Sequence, residues 1–142
     1  MNKKGFTLLE LVIATAIMAI VMSISYILIA EGNLAFKVVS SNSDVEQNVR
    51  FAMNTILSAL RSTDTSLIKV DTSKNRIIAD KSTYYRLGNS VYESIDGTSN
   101  EIAYSIENFD ISLEGNVINI TITGYNEGKY RFSLSGCYAL RE

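Results

Sequence analysis

Residues 6–30 read FTLLELVIATAIMAIVMSISYILIA, an apolar segment in which Glu10 is the single charged residue. As a helix it would be roughly 37 Å long, enough to cross the hydrocarbon core of a bilayer with some tilt. Lys3 and Lys4 precede the stretch, and basic residues favour the cytoplasmic side of a membrane. The sequence therefore predicts one membrane-spanning helix with its N-terminus in the cytoplasm and the rest of the chain outside.

The composition of the 142 residues removes most enzyme chemistry. There is no His, which excludes His-dependent triads and zinc sites, and there is one Cys, Cys137, which excludes an intrachain disulfide. We therefore expect no catalytic residue, no cofactor, no metal and no small-molecule substrate. The net charge of −2 argues against a nucleic-acid partner, because such proteins normally carry a basic excess. We expect Cys137 itself to be a buried thiol, and a disulfide to another chain is the alternative.

Glu10 is the residue that an ordinary anchor leaves unexplained. A carboxylate inside an apolar helix is costly and usually has a partner. A secretory signal peptide has a shorter apolar core and a small-residue cleavage site, which the Glu-Gly-Asn at 31–33 does not supply. If the chain were cut after Gly5, the new amino group of Phe6 would lie four residues before Glu10. The two groups could then pair within one chain or between neighbouring helices.

The run from Lys4 to Ala14, KGFTLLELVIA, resembles the class III leader of type IV prepilins and pseudopilins, and the resemblance extends from Met1 to about Ala30. It implies that a prepilin peptidase cleaves between Gly5 and Phe6 and that the new N-terminus of Phe6 is methylated. It also implies that Glu10 is the assembly glutamate, which forms an ion pair with the amino group of Phe6. An uncleaved anchor remains the alternative.

A second helical pattern follows the apolar stretch. Apolar residues recur at helical spacing on one stripe, while polar residues occupy the other faces. The stripe consists of Val45, Val49, Ala52, Met53, Ile56 and Leu60. We predict one helix from about Phe6 to about Ser62, and the polar segment at 40–44 leaves open whether the helix is continuous there.

After Ser62 the apolar period changes to two, which is typical of strands. Strand candidates lie at 67–70, 76–79, 83–87, 90–93, 109–113, 118–122 and 129–134. The clearest hairpin pairs Phe109, Ile111 and Leu113 with Ile118, Ile120 and Ile122. We expect a solvated turn at 96–101, and tyrosines placed in the core or in cross-strand pairs.

The predicted fold class is therefore α+β: a long N-terminal helix packed on a small antiparallel β-sheet head, the lollipop shape of pilins. Its parts are a cleaved leader at 1–5, a membrane-spanning and filament-core helix at 6–30, an amphipathic helix at 31–62 and the sheet head at 63–142. The head, including the run from Asn48 to Met53, resembles W-type minor pilins and J-type minor pseudopilins.

The resemblance implies a minor type IV pilin, a structural subunit of a surface filament used in adhesion, motility or DNA uptake. Its partners would be other pilin subunits, the prepilin peptidase and the pilus assembly machinery. It would lie in the cytoplasmic membrane before assembly and at the cell surface afterwards. The alternatives are a pseudopilin of a secretion or competence apparatus and an uncleaved, membrane-anchored extracellular binding module.

Overall fold

The structure is a computed structural model, and it describes residues 7–126 and 130–141. The chain divides into two compact units, one that ends at Val39 and one that begins at Ser40. The elements in chain order are helix α1 (Leu8–Ser62), a 3₁₀ turn (Thr65–Leu67), β1 (Ile68–Asp71), β2 (Arg76–Ala79), β3 (Ser82–Leu87), β4 (Ser90–Ile95), β5 (Thr98–Ala103), β6 (Ile106–Glu114), β7 (Val117–Tyr125) and β8 (Arg131–Ala139). The fold is α+β, as predicted.

The first unit is helix α1 up to Val39, and its described side chains are all exposed. Among the described residues, α1 is the one helix long and apolar enough to cross a membrane. Thr15, Ser23 and Ser25 donate their hydroxyls to backbone carbonyls one turn earlier, at 2.8–3.0 Å. These polar groups are therefore satisfied within the helix, which is what an apolar environment requires.

Helix α1 is continuous across the polar segment at 40–44, where the sequence left a break open. Asn126, at the end of β7, donates its side-chain amide to Asn42 at 2.5 Å and to Ser41 at 3.4 Å. The polar residues of this helix segment therefore provide hydrogen-bond acceptors for Asn126, which follows β7.

The strands form two antiparallel sheets, of order β1-β2-β3-β4-β5 and β6-β7-β8, where we expected one small sheet. The chain leaves the first sheet at Ser105, whose φ of +58° turns it away from the direction of β5. The Ser105 carbonyl accepts the backbone N–H of Tyr125 at 2.8 Å, and Ile106 donates to the Asn89 carbonyl at 2.8 Å. Ser105, in the left-handed region, therefore lies between the last strand of one sheet and the first strand of the other.

The β6–β7 hairpin has the predicted register, with Phe109 opposite Ile122, Ile111 opposite Ile120 and Leu113 opposite Ile118. By contrast, the prediction of a solvated turn over 96–101 is wrong, because Thr98 already begins strand β5. The turn is confined to Asp96 and Gly97, and β5 pairs with β4. This polar segment is extended because its backbone pairs with a neighbouring strand. Its side chains lack the apolar–polar alternation from which a strand is predicted.

The expectation of a buried Cys137 is also wrong, because Cys137 is exposed on β8. Exposed and half-buried residues alternate along this strand, and Cys137 falls on the outer face, opposite Asn119 of β7. The expectation for the tyrosines holds at Tyr84, which is 1 % exposed, and at Tyr85, which stacks on Tyr92 with 6.0 Å between ring centroids.

In the second unit, one hydrophobic core joins α1 to both sheets. All six residues of the predicted helical stripe are buried. The same core contains Ile77, Tyr84 and Val91 of the first sheet and the buried isoleucines of β6 and β7. The helix lies so close to the second sheet that a Cβ added at Gly124 would come within 2.6 Å of Val49. The amphipathic part of α1 therefore covers the apolar faces that the sheets could not bury alone.

Loss of the Tyr84 hydroxyl proton should lower the stability of this core at alkaline pH. Burial, and the hydrogen bond that its hydroxyl donates to Glu93 at 2.6 Å, raise the pKa of Tyr84 well above its ordinary value. Because the folded state keeps this proton more tightly than the unfolded state, the contribution is fully present below about pH 10 and is lost as the pH rises further. We expect the free energy of unfolding to fall above about pH 10, by at most about 1.4 kcal/mol per pH unit for one proton.

Denaturant unfolding in detergent micelles at several alkaline pH values would measure this slope. We expect Tyr84→Phe to flatten the slope and Tyr104→Phe, at an exposed position, to keep it. An unchanged slope in Tyr84→Phe would contradict the assignment.

Candidate assembly site

The N-terminus of helix α1 is closed by a reciprocal capping box between Thr7 and Glu10. The Glu10 backbone N–H donates to Thr7 Oγ1 at 3.2 Å, and the Thr7 backbone N–H donates to Glu10 Oε2 at 2.9 Å. The first helical backbone bond joins the Leu11 N–H to the Thr7 carbonyl at 3.2 Å. This is the arrangement that a Thr-x-x-Glu sequence favours at a helix start. The sequence expectations above did not include it, although the spacing alone could have revealed it.

Glu10 uses only one of its two carboxylate oxygens in this cap. Oε2 accepts both the backbone N–H of Thr7 and its hydroxyl, the latter at 3.0 Å. Oε1 has no hydrogen-bond or ion-pair partner among residues 7–126 and 130–141, and Glu10 is exposed. A carboxylate oxygen accepts charge-assisted bonds from an ammonium group. Glu10 can therefore cap its own helix and bind a cation from another molecule at the same time.

The two other predicted site residues, Gly5 and Phe6, lie outside the described residues. Cleavage between them, methylation of Phe6 and the pairing of its amino group with Glu10 remain predictions. Among the described residues, α1 begins at Leu8, one residue after Thr7. Glu10 therefore lies in the first turn of the helix, where the backbone N–H groups favour a negative charge.

The helix surface around Glu10 is apolar on all sides. Large apolar side chains are more than half exposed around the helix. Examples are Leu8, Leu9, Leu11, Val12, Ile17, Met18, Ile20 and Val21. A helix that is apolar all round requires lipid or other helices as its surroundings. The site thus consists of one carboxylate at the end of a long apolar surface.

In the second unit, hydrogen bonds of charged side chains connect separate elements. The Arg131 guanidinium donates two bonds to the carboxylate of Glu107 at 2.6 and 2.7 Å, which raises the pKa of Arg131. The Tyr130 hydroxyl donates to Glu46 of α1, and this bond raises the pKa of Tyr130. The described residues contain no group of three His, Cys, Asp or Glu placed to hold a metal ion.

Comparison with known proteins finds a match at the N-terminus. Residues 1–26 match the family model described as the prokaryotic N-terminal methylation motif. Neither the curated proteins nor the solved structures include a significant match to this chain. The matched segment contains Gly5, Phe6 and Glu10. Residues 1–26 therefore carry the class III leader of type IV pilins and pseudopilins, and this motif supports a type IV pilin- or pseudopilin-like protein.

Proposed function

We propose that this protein is a minor type IV pilin, a structural subunit that enters a surface filament through its N-terminal helix. The observation that carries the proposal is Glu10, on an exposed apolar helix inside the methylation motif, whose second carboxylate oxygen has no partner among residues 7–126 and 130–141. Neither a plain anchor nor a signal peptide has a use for this group. The resemblance of the head to W-type minor pilins and J-type minor pseudopilins supports a minor subunit.

In the proposed mechanism, the prepilin peptidase first removes residues 1–5. This cleavage creates an amino group on Phe6, which is then methylated. The segment 6–30 keeps the subunit in the cytoplasmic membrane, with the head outside, until the assembly machinery extracts it. Burial of the apolar helix against other pilin helices offsets the lost lipid contact. Glu10 Oε1 then accepts a hydrogen bond from the Phe6 amino group of a neighbouring subunit. This ion pair sets the axial register between subunits.

Two other functions use the same features. A pseudopilin of a secretion or competence apparatus also carries this leader, and it differs in the apparatus that it serves. An uncleaved, membrane-anchored binding module would keep residues 1–5. Adhesion, motility and DNA uptake are the processes that a minor pilin would serve.

Mass spectrometry of the N-terminal peptide from the native bacterium tests the proposal. We expect a peptide that begins at Phe6 and carries one added methyl group, because cleavage after Gly5 exposes the amine at which this motif is methylated. The control is another prepilin of the same cells, whose processing shows that the peptidase is active. A peptide that retains Met1 to Gly5 in such cells would instead support the anchored module. Detection of the chain in sheared filaments would then distinguish a pilin from a pseudopilin.

A further inference from the structure

The first sheet carries a basic pocket, and Thr83, Tyr85 and Ser94 of its lining lie on the face that points away from the core. Arg76, Tyr85 and Tyr92 are direct cross-strand neighbours on this face, whereas the adjacent Ile77 and Tyr84 point into the core. Arg86, which pairs with the buried Val91, lines the pocket from the end of β3. The pocket has a volume of about 440 Å³. It is lined by Lys74, Arg76, Thr83, Tyr85, Arg86 and Ser94. Its volume lies within the range of small-ligand sites, roughly 300–1,000 Å³.

Three of the six lining residues are cations. The Arg76 Nε atom is 3.6 Å from Oδ2 of Asp71. Lys74 and Arg86 form no ion pair with any residue in the described part of the chain. Lys3, Lys4 and Glu10 are the only charges before Glu31, so residues 31–142 contain 11 basic and 14 acidic side chains. A cluster of cations in an acidic head is a local anion-binding field.

The remaining lining groups are neutral hydroxyls. Thr83 and Ser94 are cross-strand neighbours, and their side chains hydrogen-bond to no other described residue. The Tyr85 hydroxyl lies 3.0 Å from the hydroxyl of Ser99. A hydroxyl both donates and accepts, as does each hydroxyl of a sugar. The pocket therefore combines a charged side for an oxyanion with a polar side for a neutral, hydroxylated group.

We propose that this pocket binds an acidic saccharide, a compact sugar that carries a sulfate, carboxylate or phosphate group. Lys74, Arg76 and Arg86 bind the oxyanion, and arginine does so with two parallel N–H bonds. Thr83 and Ser94 contact the sugar hydroxyls. The proposal concerns the head alone and does not depend on how the N-terminal helix is processed.

The pocket suits a saccharide better than a nucleic acid. Proteins that bind nucleic acid follow the backbone with a basic groove and stack bases on exposed aromatic faces. Here the three cations lie near one end of the sheet, by the turn before β2 and the end of β3. Tyr85 already stacks on Tyr92, with 21° between the ring planes. One face of the aromatic ring is therefore occupied.

Calorimetric titration of the full-length chain tests the proposal, in micelles of a non-ionic detergent without a sugar headgroup. The probes are a sulfated disaccharide, its uncharged parent, inorganic sulfate and a single-stranded oligonucleotide. We expect saturable binding of the sulfated disaccharide that weakens with added salt, and at least roughly tenfold weaker binding of the other three probes. Arg86→Gln and Lys74→Gln should each lower the affinity for the sulfated disaccharide by roughly tenfold or more, because each removes a charge-assisted bond.

Lys81→Gln is the matched control, since Lys81 lies on the same sheet at the turn between β2 and β3 and does not line the pocket. It should keep the affinity of the unchanged chain. The proposal is overturned if the disaccharide does not bind, or if Arg86→Gln and Lys74→Gln bind it as the control does. Equal affinity for inorganic sulfate would reduce the pocket to an anion site, and tighter binding of the oligonucleotide would assign it to nucleic acid. Each of these results leaves the N-terminal processing unaffected.

Discussion

Replacement of Glu10 by Gln should leave the protein in the membrane but lower its incorporation into filaments at least roughly tenfold, because a buried amine would lose its counter-charge. Gln is also a good partner in a capping box, so the start of α1 at Thr7 should persist. A neutral side chain crosses a membrane more readily than a carboxylate, so failed insertion cannot explain a loss. The measurement compares the chain in sheared filaments with the chain in membranes, by quantitative immunoblot.

Thr7→Val distinguishes the effect of the helix cap from the effect of the Glu10 charge. It removes the hydroxyl that accepts the Glu10 N–H and donates to Oε2, and it keeps the carboxylate. Loss of a cap costs about 1 kcal/mol of helix stability, which is little for a helix of 55 residues. We therefore expect near-normal incorporation of Thr7→Val. Normal incorporation of Glu10→Gln would remove the charge from the mechanism, and an equal loss in both variants would assign the effect to capping.

Gly124→Ala should destabilise the second unit by about 1–3 kcal/mol, the usual cost of an overpacked core. The added Cβ would lie 2.6 Å from Val49 Cγ2 and 2.8 Å from Val45 Cγ1. Both valines are buried and β-branched, so their side chains have little rotamer freedom in a helix to move aside. Helix and sheet must then separate locally. Thermal or denaturant unfolding of the full chain in micelles measures the change.

Two further variants make this result specific. Gly136→Ala, on the adjacent strand β8, is the matched control, because its Cβ would meet the flexible Met53 side chain at 2.9 Å. We expect it to cost less than Gly124→Ala. Val49→Ala combined with Gly124→Ala should cost less than the sum of the two single changes, since the smaller side chain leaves room for the new methyl group. Strict additivity would argue against the close contact at Gly124.

Some parts of the fold are local properties of the chain and are therefore readable from it. The stripe from Val45 to Leu60 follows the helical period, and every predicted member is buried. The strict alternation of Phe109, Ile111 and Leu113 determines the register of the hairpin, since a slip by one residue would expose the whole apolar face. The capping box at Thr7 and Glu10 belongs to the same class, because it depends on two residues three positions apart.

Other parts depend on contacts between distant residues. Strand β5 is polar, and it is a strand because β4 provides a paired edge. Cys137 is exposed because pairing with β7 places it on the outer face of β8, a choice of face that a lone thiol does not specify. The basic pocket collects Lys74, Arg76 and Arg86 from a turn and two strands. Nothing in their spacing along the chain indicates that they meet.

By itself, the sequence determined the long helix, its buried stripe, the central hairpin and the N-terminal leader, because short-range periodicity or a contiguous motif encodes each of them. The division into two sheets, the exposure of Cys137, the close approach at Gly124 and the basic pocket depend on the tertiary structure. The physical reason is that strand pairing and packing join residues far apart in the chain, and local propensities leave those pairings open.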